Sequence, residues 1–265
     1  MPNCDLRATT GGVVVGHPAT ALAPFVELLW HDDRYLDLTH RERVLPPGAF
    51  TLVFELKSGT ASLNGLRSKC VEFDTSPVGT VVGILFRPGG PRAFFLGSAE
   101  ALYNRSVPLD CLWGRAANEI CERLRAESNP SACFKILEQA LKDRLRANGA
   151  LHPAVESGLR EFRLVPHVRR VLEVVKETGL SRRRFSQLFR EQVGTTPKLY
   201  CRLRRFTWVV QRLSSGSGVD WADVAEAAGY SDQAHLVHDF QEFSGLSPAV
   251  FLRTERPSGA HLRVS

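Results

Sequence analysis

The feature that most constrains this 265-residue chain is a pattern that occurs twice, about 50 residues apart. The first copy reads Gly179-Leu180-Ser181, Phe185, Leu188-Phe189, Gly194, Thr196-Pro197 and Tyr200. The second reads Gly229-Tyr230-Ser231, Leu236, Phe240, Gly245, Ser247-Pro248 and Phe251, with one additional residue between its serine and Phe240. Each copy has a mechanical meaning. Gly179 and Gly229 mark points where a helix stops and the chain turns through left-handed φ. Ser181 and Ser231 are expected N-caps of the next helix. Gly194 and Gly245 are expected to end it, and Thr196-Pro197 and Ser247-Pro248 read as a cap followed by proline at the first helical position. Leading helices are expected over 167–176 and 220–228. Each copy is then helix, tight turn, helix and the start of a third, which is a helix-turn-helix unit.

A helix over 197–213 is expected to join the copies. Leu199, Leu203, Phe206, Val210 and Leu213 form its buried stripe, while Lys198, Arg202, Arg205 and Arg212 lie elsewhere on its surface. Seventeen residues span roughly 26 Å, a strut fit to hold two reading helices about one duplex turn, roughly 34 Å, apart.

Charge follows the repeat. The net charge is +6, but residues 1–159 are neutral, 160–215 carry +10 and 216–265 carry −4. A basic block behind a neutral front points to a polyanionic partner. Three arginines, Arg182, Arg183 and Arg184, open the first reading helix. Cations at a helix N-terminus are unfavourable by up to about 1 kcal/mol each, a cost that nearby phosphates remove. Arginine pairs with guanine and glutamine with adenine in the major groove. Arg183 and Gln187, with Ser186 behind them, are therefore the candidate base readers. Arg182, Arg184, Arg190, Lys198, Arg202 and Arg205 are the candidate phosphate contacts. The second reading helix has no Lys or Arg; Gln233, Ala234 and His238 occupy its outer face, and His235 packs or bonds locally. A His235/His238 metal pair lacks a third ligand, so no metal is expected. The first unit is expected to dominate binding.

The front of the chain reads differently. Val13-Val14-Val15, residues 50–56 and residues 80–86 are short runs of β-branched and aromatic residues bounded by Gly and Pro, which predicts a β-barrel or sandwich. Leu124, Phe134, Leu137, Leu141 and Leu145, then Val155, Leu159 and Phe162, recur at helical spacing. The expected class is α+β in two domains: a β-rich sensor or regulatory module over 1–113, a helical connector over 114–164, a helical DNA-binding domain over 165–256 and a flexible tail over 257–265. The last boundary is set near Val165-Pro166, where proline disfavours helix at the residue before it. Trp30, Glu55, Arg87 and Arg92 either line a ligand pocket or serve structurally. The six cysteines show no CxxC spacing and read as buried reduced thiols. No apolar run suits a spanning helix and the N-terminus lacks a secretory pattern, so a cytoplasmic protein without membrane contact is expected.

These residues carry a resemblance. Residues 166–254 resemble the DNA-binding domain of the AraC/XylS family of transcription regulators. The match rests on Gly179-Leu180-Ser181-Arg182-Arg183, Leu188-Phe189-Arg190, Val193-Gly194 and Thr196-Pro197. It continues through Ala222-Asp223-Val224-Ala225, the run from Gly229 to His235, Phe240, Phe243-Ser244-Gly245 and Ser247-Pro248. Arg87-Pro88-Gly89-Gly90, Val107-Pro108-Leu109 and Leu112-Trp113-Gly114 are similar to a domain of unassigned role found in front of such regulators. The resemblance implies seven helices, promoter binding and RNA polymerase as a partner; an activator is expected, with a repressor left open. By position it assigns base reading to Arg183, Ser186 and Gln187 in the first unit and to Gln233, Ala234 and His238 in the second. The chain departs from the family where basic residues are usual: here stand His238, Asp239, Gln241 and Glu242. Residues 168–175 are also a loose version of the family's leading helix. A small-molecule effector and a homodimer are left open.

The rival reading is a cupin-like metal-dependent enzyme, or a small-molecule-binding protein with an accessory helical domain. Cupin chemistry needs clustered histidines, and before residue 150 there are only His17, His31 and His40, unpaired. No phosphate loop of the Gly-Lys-Ser/Thr type, GxSxG elbow or Pro-Cys-His context is present. No catalytic residue and no cofactor are therefore assigned, and the chain is read as a regulator rather than an enzyme.

Overall fold

The computed structural model describes residues 7–8, 12–33, 41–74, 79–146, 149–163, 171–214, 220–254 and 261–264. Nine short strands come first: β1 (Arg7–Ala8), β2 (Val13–Gly16), β3 (Val26–Asp32), β4 (Arg41–Val44), β5 (Thr51–Glu55), β6 (Thr60–Asn64), β7 (Val71–Asp74), β8 (Val81–Phe86) and β9 (Ser106–Pro108). Alternation explains their placement. In β5, Leu52 and Phe54 are fully buried while Thr51, Val53 and Glu55 are only partly covered, so one sheet face is packed and the other is not. The principal sheet has the order β1-β2-β3-β8-β5-β6-β9, and every described pairing is antiparallel. Its outer strands, β1 and β9, do not pair with each other among the described residues. The expected β module is thus an open sheet and not a closed barrel. Trp30 lies across the strand pair from Gly83; a Cβ there would sit 2.2 Å from the indole, so only glycine admits the ring.

Helices α1 (Asp110–Trp113), α2 (Arg115–Arg125) and α3 (Pro130–Lys142) follow. Ala117, Ile120, Cys121 and Leu124 of α2, with Phe134, Leu137 and Leu141 of α3, share one buried cluster with the sheet. Leu145, placed on that stripe by spacing, lies beyond α3 and is exposed.

Next come α4 (Pro153–Phe162), α5 (Val171–Glu177), α6 (Arg182–Val193), α7 (Pro197–Ser214), α8 (Trp221–Ala227), α9 (Gln233–Ser244) and α10 (Pro248–Arg253). The boundary near Val165-Pro166 and the start of the first leading helix lie outside the described residues. Packing crosses the expected boundary. Val155, Leu159 and Phe162 of α4 are buried with Phe185, Leu188 and Phe189 of α6 in one cluster. Helix α4, assigned by sequence to the connector, is therefore part of the first helix-turn-helix core, and α4 to α10 make seven helices.

The strut α7 is buried in two cores. Tyr200 and Cys201 belong to the first-unit cluster. Leu203, Phe206, Val209, Val210 and Leu213 belong to a larger cluster that contains Phe240, Phe243 and Phe251 of the second unit and also Leu52, Phe54 and Ile84 of the sheet. The second unit is tied to the front module by polar contacts as well: the Cys70 amide donates to the Phe243 carbonyl (2.9 Å) and an Arg43 Nη donates to the Ser244 carbonyl (3.3 Å).

The tail departs from expectation. A strand β10 (His261–Val264) runs antiparallel to β4, with His261 opposite Val44 and Val264 opposite Arg41. Among the described residues it joins β4 and β7 in a three-stranded sheet. An exposed strand edge is a ready template for pairing, and Leu262, only 1% exposed, supplies the apolar anchor. Replacing Leu262 by alanine is expected to cost roughly 2–3 kcal/mol, the low end for a buried leucine, and to lower the midpoint of urea unfolding; an unchanged midpoint would show that the strand adds no stability.

Candidate nucleic-acid interface

The first unit is built as its residues require. Gly179 has φ +71° and turns the chain out of α5. Ser181 caps α6, its hydroxyl accepting from the Arg184 amide at 3.2 Å. Phe185, Leu188 and Phe189 are buried, and this fixes the opposite face outward. On that face Arg182, Arg183, Arg184 and Gln187 are exposed and Ser186 is half-buried. An Arg184 Nη donates to Gln187 Oε1 (3.3 Å), and Gln187 Nε2 donates to Glu191 Oε1 (2.8 Å). The carboxamide is thus oriented along the helix before any partner arrives. Gly194, φ +92°, ends α6 in left-handed backbone.

Arg190 does not share the free edge. Its Nε meets Glu100 Oε1 at 2.9 Å, on the 3-10 turn Ala99–Leu102 of the front module. The expected phosphate contact is therefore already neutralised. Lys198 is exposed at the start of α7.

Two other expected phosphate contacts, Arg202 and Arg205, are half-buried and have partners within the chain. The Arg202 guanidinium donates from Nη2 (2.7 Å) and Nε (3.1 Å) to Asp239 Oδ1 and also bonds Glu242, while its carbon lies 5.0 Å from the centre of the Phe243 ring. Asp239 is 1% exposed. Burial alone would lower the guanidinium pKa, but the two carboxylates more than reverse this and hold it above its usual value. The Arg202 hydrogen bond in turn pulls the Glu242 carboxyl below its usual range. Arg205 lies over the Tyr230 ring at 4.9 Å. Arg202 and Arg205 thus brace α7 on the second unit. Spacing on α7 placed both off the apolar stripe, but it could not show that α9 would bring a buried acid to one and the turn an aromatic ring to the other.

The second unit corrects one cap. Its N-cap is Asp232, whose Oδ1 accepts from the His235 amide at 2.7 Å. This bond, then one from Ser231, lowers the Asp232 pKa. The additional residue is the reason. Asp232 stands four residues before Leu236, as Ser181 stands four before Phe185, so the caps superpose in register only when the serine is passed over. Ser231 Oγ instead lies 3.0 Å from Asp232 Oδ2 and 3.1 Å from His235 Nδ1, and the His235 ring meets Tyr230 edge-on at 5.1 Å. His235 has the local role expected of it. Gln233, Ala234 and His238 are exposed.

His238, Asp239 and Glu242 bring ligand atoms within 4.8 Å of one another. Both carboxylates are already bonded to Arg202, which supplies the positive charge a metal ion would bring. The four residues expected around a ligand pocket do not converge. Arg87 donates to the Ala23 carbonyl (2.8 Å) and pairs with Glu27 (2.7 Å). Glu55 accepts from the hairpin hydroxyls of Ser58 and Thr60. Trp30 covers Gly83, and Arg92 lines a cavity of about 240 Å³ with Phe95, Leu96, Gly97 and Arg146. A second cavity, of about 320 Å³, lies between His31, Arg125 and Ser128 and contains none of the four. Cys70, Cys111, Cys121, Cys133 and Cys201 are free thiols; burial pushes Cys133 up to about 11 and Cys201 up to about 12, so both stay protonated.

Residues 174–254 match a family model described as a helix-turn-helix domain, and residues 15–108 match one described as a domain of unknown function, DUF6597. No curated protein matches the chain. Among solved structures, a 1.65 Å structure of ToxT from Vibrio cholerae is 8% identical, with 83% of this chain and 91% of that one covered and a TM-score of 0.45. ToxT from Vibrio cholerae O395, bound to a naphthalenyl butenoic acid, is 10% identical, with coverages of 91% and 97% and a TM-score of 0.45. The chain therefore carries a helix-turn-helix domain behind a DUF6597 domain. Among the described residues no helix is long and apolar enough to cross a membrane.

The Arg202 brace has a measurable consequence. Arg202→Ala leaves Asp239 buried without its partner and is expected to cost about 3–5 kcal/mol, whereas Arg202→Met combined with Asp239→Leu recovers most of it. Urea unfolding of the three proteins checks this. Because the folded Glu242 pKa lies below its unfolded value of 4.5, its contribution is complete above that pH and is lost as the pH falls below it.

Proposed function

We propose that the first unit supplies both affinity and sequence choice, with Arg183 and Gln187 reading base edges and Ser186 behind them. Arg182, Arg184 and Lys198 neutralise phosphates beside them. The observation that carries this reading is the outward, unburied edge of α6 with three arginines in its first turn. Exposed cations at the positive end of a helix dipole disfavour the free protein and suit a polyanion. In the second unit Gln233, Ala234 and His238 touch the adjacent groove but add little to the salt-dependent part of binding, since α9 carries no Lys or Arg and holds its acids close to Arg202.

The functional division runs between a β-rich module that modulates binding through a small-molecule effector and a helical module that binds promoter DNA. The reading extends to a cytoplasmic activator that engages RNA polymerase and acts as a homodimer. These finer roles follow the family resemblance and the two-module layout.

Arg183→Ala and Gln187→Ala are expected to reduce discrimination against a mismatched site by about 1–3 kcal/mol each while leaving the thermal midpoint unchanged. Arg182→Ala should weaken all duplexes alike and lower the slope of log affinity against log salt by about 1. Fluorescence anisotropy with a site selected from random duplexes measures both. Equal discrimination by the Arg183 and Gln187 variants and the parent would remove these residues from base reading.

A further inference from the structure

The cavity bounded by Arg92 and Arg146 contains a buried N–H that the fold leaves unanswered. Arg92 belongs to the 3-10 turn Gly90–Ala93, and its Nε is buried with no hydrogen-bond partner. Arg146 is exposed at its rim. Among the described residues neither guanidinium meets a carboxylate. Two like charges facing one cavity, with one N–H desolvated and unanswered, favour an anion between them. The rest of the lining is apolar: Phe95, stacked on Trp113 at 5.0 Å between ring centres, and Leu96, which is 81% exposed. At about 240 Å³ the space suits a small molecule and not a polymer segment.

Both walls lead to the reading helix. From Gly97 the chain runs directly into the 3-10 turn Ala99–Leu102, where Glu100 holds Arg190 of α6. From Arg146, whose amide donates to the Ala93 carbonyl at 2.9 Å, it runs through Gly149, packed so closely on Ala93 that a Cβ would lie 2.6 Å from its Cα. It then reaches His152, whose amide donates to Oε1 of the buried Gln192 of α6 at 2.9 Å. We propose that this cavity is a binding site for a small organic oxyanion with a short apolar body, and that its occupation changes how the front module holds α6. The coupling part rests on the DNA-reading role assigned to α6 above; the binding part does not.

The test uses the full chain and four probes: phenyl phosphate, phenylacetate, inorganic phosphate and benzylamine. Calorimetric titration is expected to show saturable binding of at least one aryl anion in the micromolar to millimolar range. Inorganic phosphate should bind more weakly and benzylamine not at all. Arg92→Gln and Arg146→Gln should each weaken the aryl anion at least tenfold. Phenyl phosphate against phenylacetate separates a phosphate site from a carboxylate site. The bound anion should then change duplex affinity at least threefold, and Glu100→Gln should keep anion binding but lose that change. No binding of either aryl anion, or equal binding by the parent and both arginine variants, overturns the site. A loss of duplex affinity in Arg92→Gln without any anion effect makes the pair a DNA contact and also overturns it. Duplex binding by the parent without probe reports on the DNA-reading role alone, so the two failures are distinguishable.

Discussion

One helix belongs to two cores, and the arrangement of the reading helices follows from that. The first turn of α7 buries Tyr200 and Cys201 with α4 and α6, and the rest of it buries Leu203, Phe206, Val209 and Leu213 with α9, α10 and the front sheet. At 18 residues the helix is about 27 Å long. A continuous helix does not bend without losing backbone hydrogen bonds, so its two ends keep a set separation. Whatever α6 and α9 read, they read at a spacing set by α7.

The two units spend their charge differently. In the first, arginines stay on an outward edge while the buried face is apolar except for Gln192. In the second, Asp239 is buried where the helix faces α7, and Arg202 must turn inward to meet it. A buried carboxylate without a partner is strongly destabilising, so this pairing takes precedence over any surface role for the arginine. Asp239 and Glu242 together hold the Arg202 guanidinium, which is why this arginine turns inward.

Much of this was legible in the sequence because it is local. Glycines at 179, 194, 229 and 245 all adopt positive φ, and Ser181, Thr196 and Ser247 all cap, since these are properties of a few consecutive residues. Aligning the two copies on their serines points to Ser231 as a cap; the extra residue moves the cap to Asp232, four residues before the buried Leu236. Long-range partners were not legible. The pairing of β10 with β4, the turn of Arg202 towards Asp239, the capture of Arg190 by Glu100 and the membership of α4 in the first-unit core all join residues far apart in the chain. Periodicity states which face of an element is apolar and does not say what will cover it. The scatter of Trp30, Glu55 and Arg87 has the same origin: polar residues on neighbouring strands look convergent until each finds its own partner.

The distribution of apolar contacts also decides which unit is free to respond. The second unit shares its hydrophobic cluster with the front sheet, and separating them would expose large side chains such as Phe206 and Phe243. The first unit has a cluster of its own. It meets the front module through an Arg190–Glu100 ion pair and the close seat of Gly194 against the Phe50 ring. Half-exposed ion pairs are worth roughly 0–1 kcal/mol, far less than a shared core, because water and phosphate compete for the same groups. A duplex phosphate offers Arg190 what Glu100 offers it, with little net change in energy. The cationic reader is thus the one held by exchangeable contacts, and the weakly charged reader is the one fixed to the body. In a protein built this way, small shifts at one polar seam would reposition the first unit while the second stays anchored.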